Sequence, residues 1–358
     1  MKYTVSPGTV PGEGILFVNH HEKRRSGHLG HALVEYEDGK LLAFYSNCAG
    51  SRNHGHSGFG WVEYRRSEDG GETWGEPEVL PYSARMFLDG EYTVACEKAV
   101  RADDGTIVVT CLLSRCQPAW EPWGVPTVIR SRDGGKTWSA PKPMTAEAGR
   151  LYDLRVCDGT IFGLFFANDG AESFLGNKPE HQYKLLVSTD NGETFTERST
   201  LPFDTMGRGY GSLLFSPDGM LAAYVYNAAD EYHLDYCVSA DSGSTWTAPA
   251  QSEVKKRIRN PQTAYLNGLC FLHGRSGCVD KTVPSNFVLY SSEDGVHWDD
   301  GVYLRIPPEG AWGGGSYYSN NLVVGALGTG KKRLLIQSSD AYDEARTDIR
   351  HWWVDVEE

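Results

Sequence analysis

Apolar residues along this chain come in short strand-like runs, such as Thr110-Cys111-Leu112-Leu113 and Leu269-Cys270-Phe271, and successive runs are joined by an Asx-Gly step. The steps are Asp38-Gly39, Asp104-Gly105, Asp158-Gly159, Asp218-Gly219 and Asn267-Gly268. Asx-Gly between apolar runs is the strongest short-range signal for an antiparallel hairpin, because both residues tolerate the left-handed backbone that such turns use. A sixth unit sets Asn321-Leu322-Val323-Val324 against Arg333-Leu334-Leu335-Ile336 across a turn near Gly328-Thr329-Gly330. Helical periodicity is nearly absent, so the pattern predicts an all-β chain.

A second repeat runs alongside the first. Ser67-Glu68-Asp69-Gly70-Gly71-Glu72-Thr73-Trp74 returns as Ser131 to Trp138, Ser188 to Phe195 and Ser239 to Trp246, and in shortened form as Ser292 to Trp298. In each copy the Ser and Asp side chains can bond backbone amides just ahead, and Gly supplies a positive φ. The closing Trp or Phe can then plug the space between neighbouring strands. Repetition at this scale sets the architecture. Six units of four strands give a six-bladed β-propeller. The sixth unit lacks the S-x-D-x-G turn. Its outer strand is expected at Ile349-Arg350-His351-Trp352-Trp353-Val354, and Gly14-Ile15-Leu16-Phe17-Val18 is expected to join that blade and close the ring. No low-complexity linker divides the chain, so one domain over residues 1–358 is expected, with the segment 1–26 helping closure.

Composition narrows the partners. The chain has 358 residues, enough for a large core, and its aromatic content of 12% with 41 glycines suits many short strands and tight turns. The formal net charge of −13 disfavours nucleic acid, whose phosphates need a basic footprint. It leaves room for an anionic sugar held in a locally basic pocket. No apolar signal-peptide core follows the polar residues 1–14, and no apolar run is long enough for a membrane span. A cytoplasmic location with no membrane partner is therefore expected, a secreted protein with its signal removed being the alternative. The 8 cysteines sit mostly in or beside apolar runs and read as buried free thiols.

In a propeller, the start of each innermost strand and the loop after the second strand crowd one face, the default ligand site. Blade 1 offers His28 and His31, then His54 and His56, four of the 11 histidines. Blade 2 offers Glu97, blade 3 Arg150 and Asp153, blade 4 Tyr210, blade 5 Arg259 and Arg275, and blade 6 Tyr317 and Tyr318. His, Arg and Tyr converging on a concave mouth more often bind something than line a water-filled channel. His28, His31, His54, His56 and Cys48 could in principle ligate zinc, but the H-x-H and H-x-x-H spacings are weak, and neither metal nor cofactor is expected.

The repeated S-x-D-x-G-x-T-W turn is similar to the Asp box, or BNR repeat, of the sialidase (exo-α-neuraminidase) superfamily. The resemblance covers most of the chain from about Gly27 and implies a six-bladed propeller whose boxes lie on the outer rim, away from the ligand. Sialidases hold the substrate carboxylate with three arginines, use a Glu-activated Tyr as nucleophile and an Asp as acid/base. Carried over by position, the first arginine becomes His28 and the Asp falls on His54-Gly55-His56. The Glu falls near Tyr210 and the second arginine near Asn227. The third arginine is matched by Arg275, and the nucleophile by Tyr317 or Tyr318. The scaffold is thus matched more fully than the site.

Three functions remain in play. The first is an exo-acting glycoside hydrolase releasing a terminal, acidic sugar from an oligosaccharide. In it Arg259, Arg275 and Arg150 bind the carboxylate, His54 or His56 acts as acid, and Tyr318 or Glu97 stands opposite. The second is a lyase eliminating across uronate linkages, where His and Tyr serve as base and acid. The third is a glycan-binding propeller without catalysis, against which four clustered histidines speak.

Overall fold

In a computed structural model of the chain, residues 2–8, 14–50, 58–115, 124–170, 175–276, 286–307, 316–325 and 331–357 are described. Its six sheets are antiparallel and follow the chain in order. Blade 1 begins with the innermost strand Leu33–Glu37 and continues with Lys40–Cys48, Gly60–Ser67 and Glu78–Val79. The innermost strands of blades 2 to 6 are Tyr92–Arg101, Gly149–Cys157, Arg208–Phe215, Arg259–Leu266 and Ser319–Val324. They stand side by side around a central channel. Second strands such as Leu269–Ser276 are buried at every position. They are covered on both faces by neighbouring blades, which is why they read as continuous apolar runs. The core accordingly lies between blades, as in the cluster of Phe44, Val62, Ile107, Val109 and Ile129.

The Asx-Gly steps are the turns between first and second strands. Asp158 and Gly159 have φ of 46° and 72°, and Asn267 and Gly268 have 46° and 90°, the doubly left-handed form that matches strand twist.

Ring closure differs from expectation in one respect. The strand containing Ile349–Val354 is Thr347–Val356, and it is the third of blade 6, not the outermost. Two N-terminal strands, Tyr3–Ser6 and Ile15–Val18, lie end to end along its free edge. The chain's two ends thereby share one sheet, and no edge is left on the long Thr347–Val356 strand. A helix, α1 (Pro81–Asp89), links blade 1 to blade 2 and was not legible as a helical period. Proline opens it, and Gly90 closes it at φ 75°.

The repeated turns are built alike. Ser67 Oγ donates to Asp69 Oδ1 (2.8 Å) and accepts from the Gly71 amide (2.8 Å). Asp69 accepts from the Thr73 amide (2.9 Å) and hydroxyl (2.5 Å). The same set recurs at Ser131, Ser188 and Ser239. In the shortened copy the His297 ring replaces threonine, 2.6 Å from Asp294 Oδ2.

Each turn also locks onto the blade before it. The Trp74 ring meets Phe17 of blade 6 at 5.0 Å, and Trp138 meets Phe44 of blade 1 at 5.8 Å. Trp246 and Trp298 donate their indole N–H to Ser199 and Ser252 of the preceding blades (2.9 and 2.8 Å). At Gly243, with φ 82°, an added Cβ would come within 2.1 Å of the Leu185 side chain, so the clamp closes only over glycine.

Candidate functional site

At the end of the ring opposite the repeated turns, the innermost strands of four consecutive blades are each interrupted by a β-bulge. In blade 2 the pairing slips between Cys96 and Lys98, in blade 3 between Leu151 and Asp153. In blade 4 it slips between Gly209 and Gly211, and in blade 5 between Arg259 and Gln262. The residues stepped over include Glu97, Tyr152, Tyr210 and Asn260. All four line one central pocket, together with His31, Lys98, Arg150, Gln262 and Tyr318. A bulge inserts a residue that the ladder does not hold and re-aims its side chain. Four bulges at one level turn the mouth of the channel into a site. Tyr210 (φ 50°) and Asn260 (φ 54°) adopt the left-handed backbone that non-glycine residues seldom take.

The charges in this pocket are paired. Arg150 donates Nε and Nη2 to Glu97 Oε2 at 2.9 and 2.7 Å, and both side chains are about nine-tenths buried. Glu97 Oε1 is buried and has no hydrogen-bond partner among the described residues. The Arg150 guanidinium also lies 5.4 Å from the ring centre of Tyr152 and 5.7 Å from that of Tyr210. Tyr210 and Tyr318 meet hydroxyl to hydroxyl at 3.2 Å. Burial and the neighbouring Tyr318 push the Tyr210 phenol well above its ordinary range. Arg275 packs over the Tyr318 ring (5.2 Å) and Arg259 over Tyr226 (5.5 Å), whose hydroxyl donates to Glu231 at 2.7 Å.

Beneath the pocket the channel is closed by a buried ionic floor. Lys98 Nζ donates to Gln262 and to Asn320 (2.6 Å) and lies 3.2 Å from Asp153 Oδ1. Asp153 also accepts from Ser212 Oγ, the Leu213 amide and the Leu154 amide, each at 2.8 Å, and from Arg155 Nε at 3.1 Å. Its pKa is lowered: Arg155 and Lys98 outweigh the cost of burial. Burial brings Lys98 down to about 8.

The residues singled out from the sequence therefore separate. Glu97, Arg150, Tyr210, Tyr318 and His31 come together in the pocket, with Arg259 and Arg275 on the aromatic rings beside it. Asp153 belongs to the floor, with no exposed surface, and is saturated by the contacts above. Tyr317, one residue before Tyr318, points the other way. Its ring stacks on Phe287 at 5.5 Å and its hydroxyl donates to Asp340 at 3.2 Å. A φ of 61° at Tyr317 turns the two neighbouring side chains apart. His28 is fully buried outside the pocket lining, and its carbonyl oxygen accepts a hydrogen bond from His31 Nε2 at 3.2 Å. Burial lowers His31 to about 4. Asn227 bonds His233 at 3.0 Å. His54 and His56 lie outside the described residues.

Tyr152, Asn260, Gln262 and Lys98 are site or floor residues that the sequence reading passed over. Two bulges had a signal: Gly209 and Gly211 flank Tyr210, and Pro261 interrupts a strand. Glu97 and Tyr152 sit in ordinary-looking strands with no such mark. Among the described residues no group of three or more His, Cys, Asp or Glu side chains could hold a metal ion.

No protein-family model matches the chain, and no curated protein matches it. Solved structures do. A protein of unknown function from Dyadobacter fermentans superposes with a TM-score of 0.71 at 18% identity, covering 99% of both chains. A point mutant of the NanB sialidase of Streptococcus pneumoniae gives 0.67 at 9% identity, over 96% of this chain and 70% of that one. The Hadza microbial sialidase Hz136 gives 0.66 at 17% identity, over 94% and 68%. The chain has the sialidase-like six-bladed propeller fold.

Proposed function

We propose that the protein is a carbohydrate-active enzyme, a sialidase-like exo-glycoside hydrolase that releases a terminal acidic sugar from an oligosaccharide. The observation that carries this reading is the ring of bulges. Four blades spend backbone regularity to aim Glu97, Tyr152, Tyr210 and Asn260 into the pocket that also holds Tyr318. The corresponding face of the sialidase fold is where a substrate is expected, and two of the solved neighbours are named as sialidases.

The division of labour follows from the charges. Arg259 and Arg275 attract the carboxylate of the sugar. The Arg150 clamp holds Glu97 through Oε2 and leaves Oε1 to take a proton. Tyr318 Oη bonds the anomeric carbon as the glycosidic C–O bond breaks, and its proton passes to Glu97. The departing oxygen takes a proton from an acid that sequence position assigns to His54 or His56. Water then displaces Tyr318 and both protons return, so that one water is consumed per bond cleaved. In this reading Tyr210 stands where sialidases carry a glutamate, and the site has diverged.

A second reading is favoured by one detail. The hydroxyl beside Tyr318 belongs to another phenol and not to a carboxylate. A phenol pair among arginines also suits β-elimination from a uronate, with Tyr318 protonating the leaving oxygen. One experiment separates the two. Pooled acidic oligosaccharides and aryl sialosides are incubated with the protein, and reducing sugar and absorbance at roughly 235 nm, where unsaturated uronates absorb, are followed together. Sugar without absorbance supports hydrolysis, absorbance supports elimination, and silence in both contradicts an enzyme for these substrates.

A further inference from the structure

Three hydrogen-bond acceptors in the central pocket are buried and unanswered among the described residues: Glu97 Oε1, His31 Nδ1 and Asn260 Oδ1. They come from three different blades. For Glu97 and His31 the other contact of the side chain leaves these atoms as acceptors. Glu97 is pinned through its other oxygen by Arg150. His31 faces the His28 carbonyl through Nε2 at 3.2 Å, and a carbonyl can only accept, so Nε2 carries the proton and Nδ1 a bare lone pair. Burial keeps that ring neutral at physiological pH. Asn260 is only 4% exposed and sits on a left-handed backbone in the blade 5 bulge, with its Oδ1 unpartnered among the described residues. Natural proteins seldom leave buried polar atoms unanswered, so three on residues that line one pocket call for an explanation.

We infer that Glu97, His31 and Asn260 form a donor-reading set, and that the sugar entering this pocket must present free hydroxyl groups to it. The inference rests on the carbohydrate reading above and sharpens it. A ring whose hydroxyls are capped as O-sulfate, O-acetyl or O-methyl brings acceptors to acceptors and is refused. The site thus selects an unsubstituted terminal residue. A sulfated or acylated glycan becomes a ligand only after a sulfatase or esterase class of reaction has uncovered it. Asn260 and His31 act here as specificity-determining residues, without a part in bond breaking.

The test is binding, which is separable from turnover. Calorimetric titrations use methyl glycosides of sialic acid, glucuronic acid and galacturonic acid, each beside its per-O-methylated counterpart. Asn260→Gly deletes the acceptor while keeping a residue that accepts φ near +54°, and Asn260→Asp restores an acceptor oxygen in the same backbone. The expected result is binding of at least one free glycoside and none of its capped form. Asn260→Gly then weakens that binding about tenfold or more, Asn260→Asp recovers it, and Tm is held. Equal binding of free and capped sugars overturns the inference, as does unchanged affinity in Asn260→Gly, or no binding of any free glycoside. A protein that binds in this pattern but cleaves nothing upholds the donor-reading set while sinking the hydrolase. Cleavage with Asn260→Gly neutral does the reverse.

Discussion

The two ends of the blades answer to different rules. At the rim, four full turns and one shortened copy are each folded by the same serine–aspartate bond, and their aromatic rings seal blades to the ones before. At the mouth, four bulges occupy the same level, yet they present a glutamate, two tyrosines and an asparagine. The rim repeats its side chains because every blade must solve the same packing problem. The mouth repeats only its backbone device and varies the side chains, as a site must when one ligand is to touch different groups at different points. Stability and chemistry are therefore expected to respond to separate substitutions.

The sharpest separation is expected at Tyr318. Tyr318→Phe and Glu97→Gln should each lower turnover by about 10²–10⁴-fold, the usual weight of a positioned proton-transfer group or its partner, in a steady-state assay on the substrate found above. Next comes the ionic floor, which belongs to the mouth by position and to the scaffold by role. Lys98→Met removes one of the two cations paired with the buried Asp153 carboxylate, leaving Arg155 as the other, and should cost about 1–3 kcal/mol, read by urea denaturation.

Acid should then resolve the two regions along one axis. Burial holds His20 and His31 at about 4 and His273 and His351 at about 3 in the folded chain, against an ordinary 6.5. The unfolded chain therefore binds more protons below pH 6.5, and the stability present above that value is lost progressively as pH falls from about 6.5 through the folded values of about 4 and 3. The turn carboxylates add a later loss. Hydrogen bonds from Thr245 and Ser239 keep Asp241 at about 2, so its contribution disappears between about 4 and 2. A Tm profile should begin to fall below pH 6.5 and fall again below 4. A profile flat to pH 4 would mean that the inner histidines are not held neutral. The smallest effect is expected at a single clamp. Gly243→Ala should cost about 1–3 kcal/mol through the contact with Leu185 and the left-handed backbone, with turnover per folded molecule unchanged.

The same contrast explains what could be read in advance. The repeated turns and the Asx-Gly steps demand fixed residue types at fixed spacings, so blades and their number were visible in the chain. Ring closure was visible in Ile15–Val18 but not in Tyr3–Ser6, a strand of the same length but too polar to announce itself. At the mouth, chemistry-bearing residues were visible, but not which of them share a pocket. Tyr317 and Tyr318 are equivalent in sequence, and a single positive φ sends one into the core beside Asp340 and the other onto Tyr210. Asp153 looked as available as Arg150 until its oxygens were found occupied by blades 2, 3 and 4. A bulge depends on the register with the next strand, which local sequence at Glu97 and Tyr152 does not encode.

The division between rim and mouth is tested most directly by measuring Tyr318→Phe and Gly243→Ala side by side, each for turnover on the cleaved glycan and for Tm. A crossed result is expected. Tyr318→Phe loses turnover and leaves Tm within about 1 °C, whereas Gly243→Ala keeps turnover and lowers Tm by about 1–4 °C. Turnover that survives in Tyr318→Phe would contradict the assignment of the mouth as the active site.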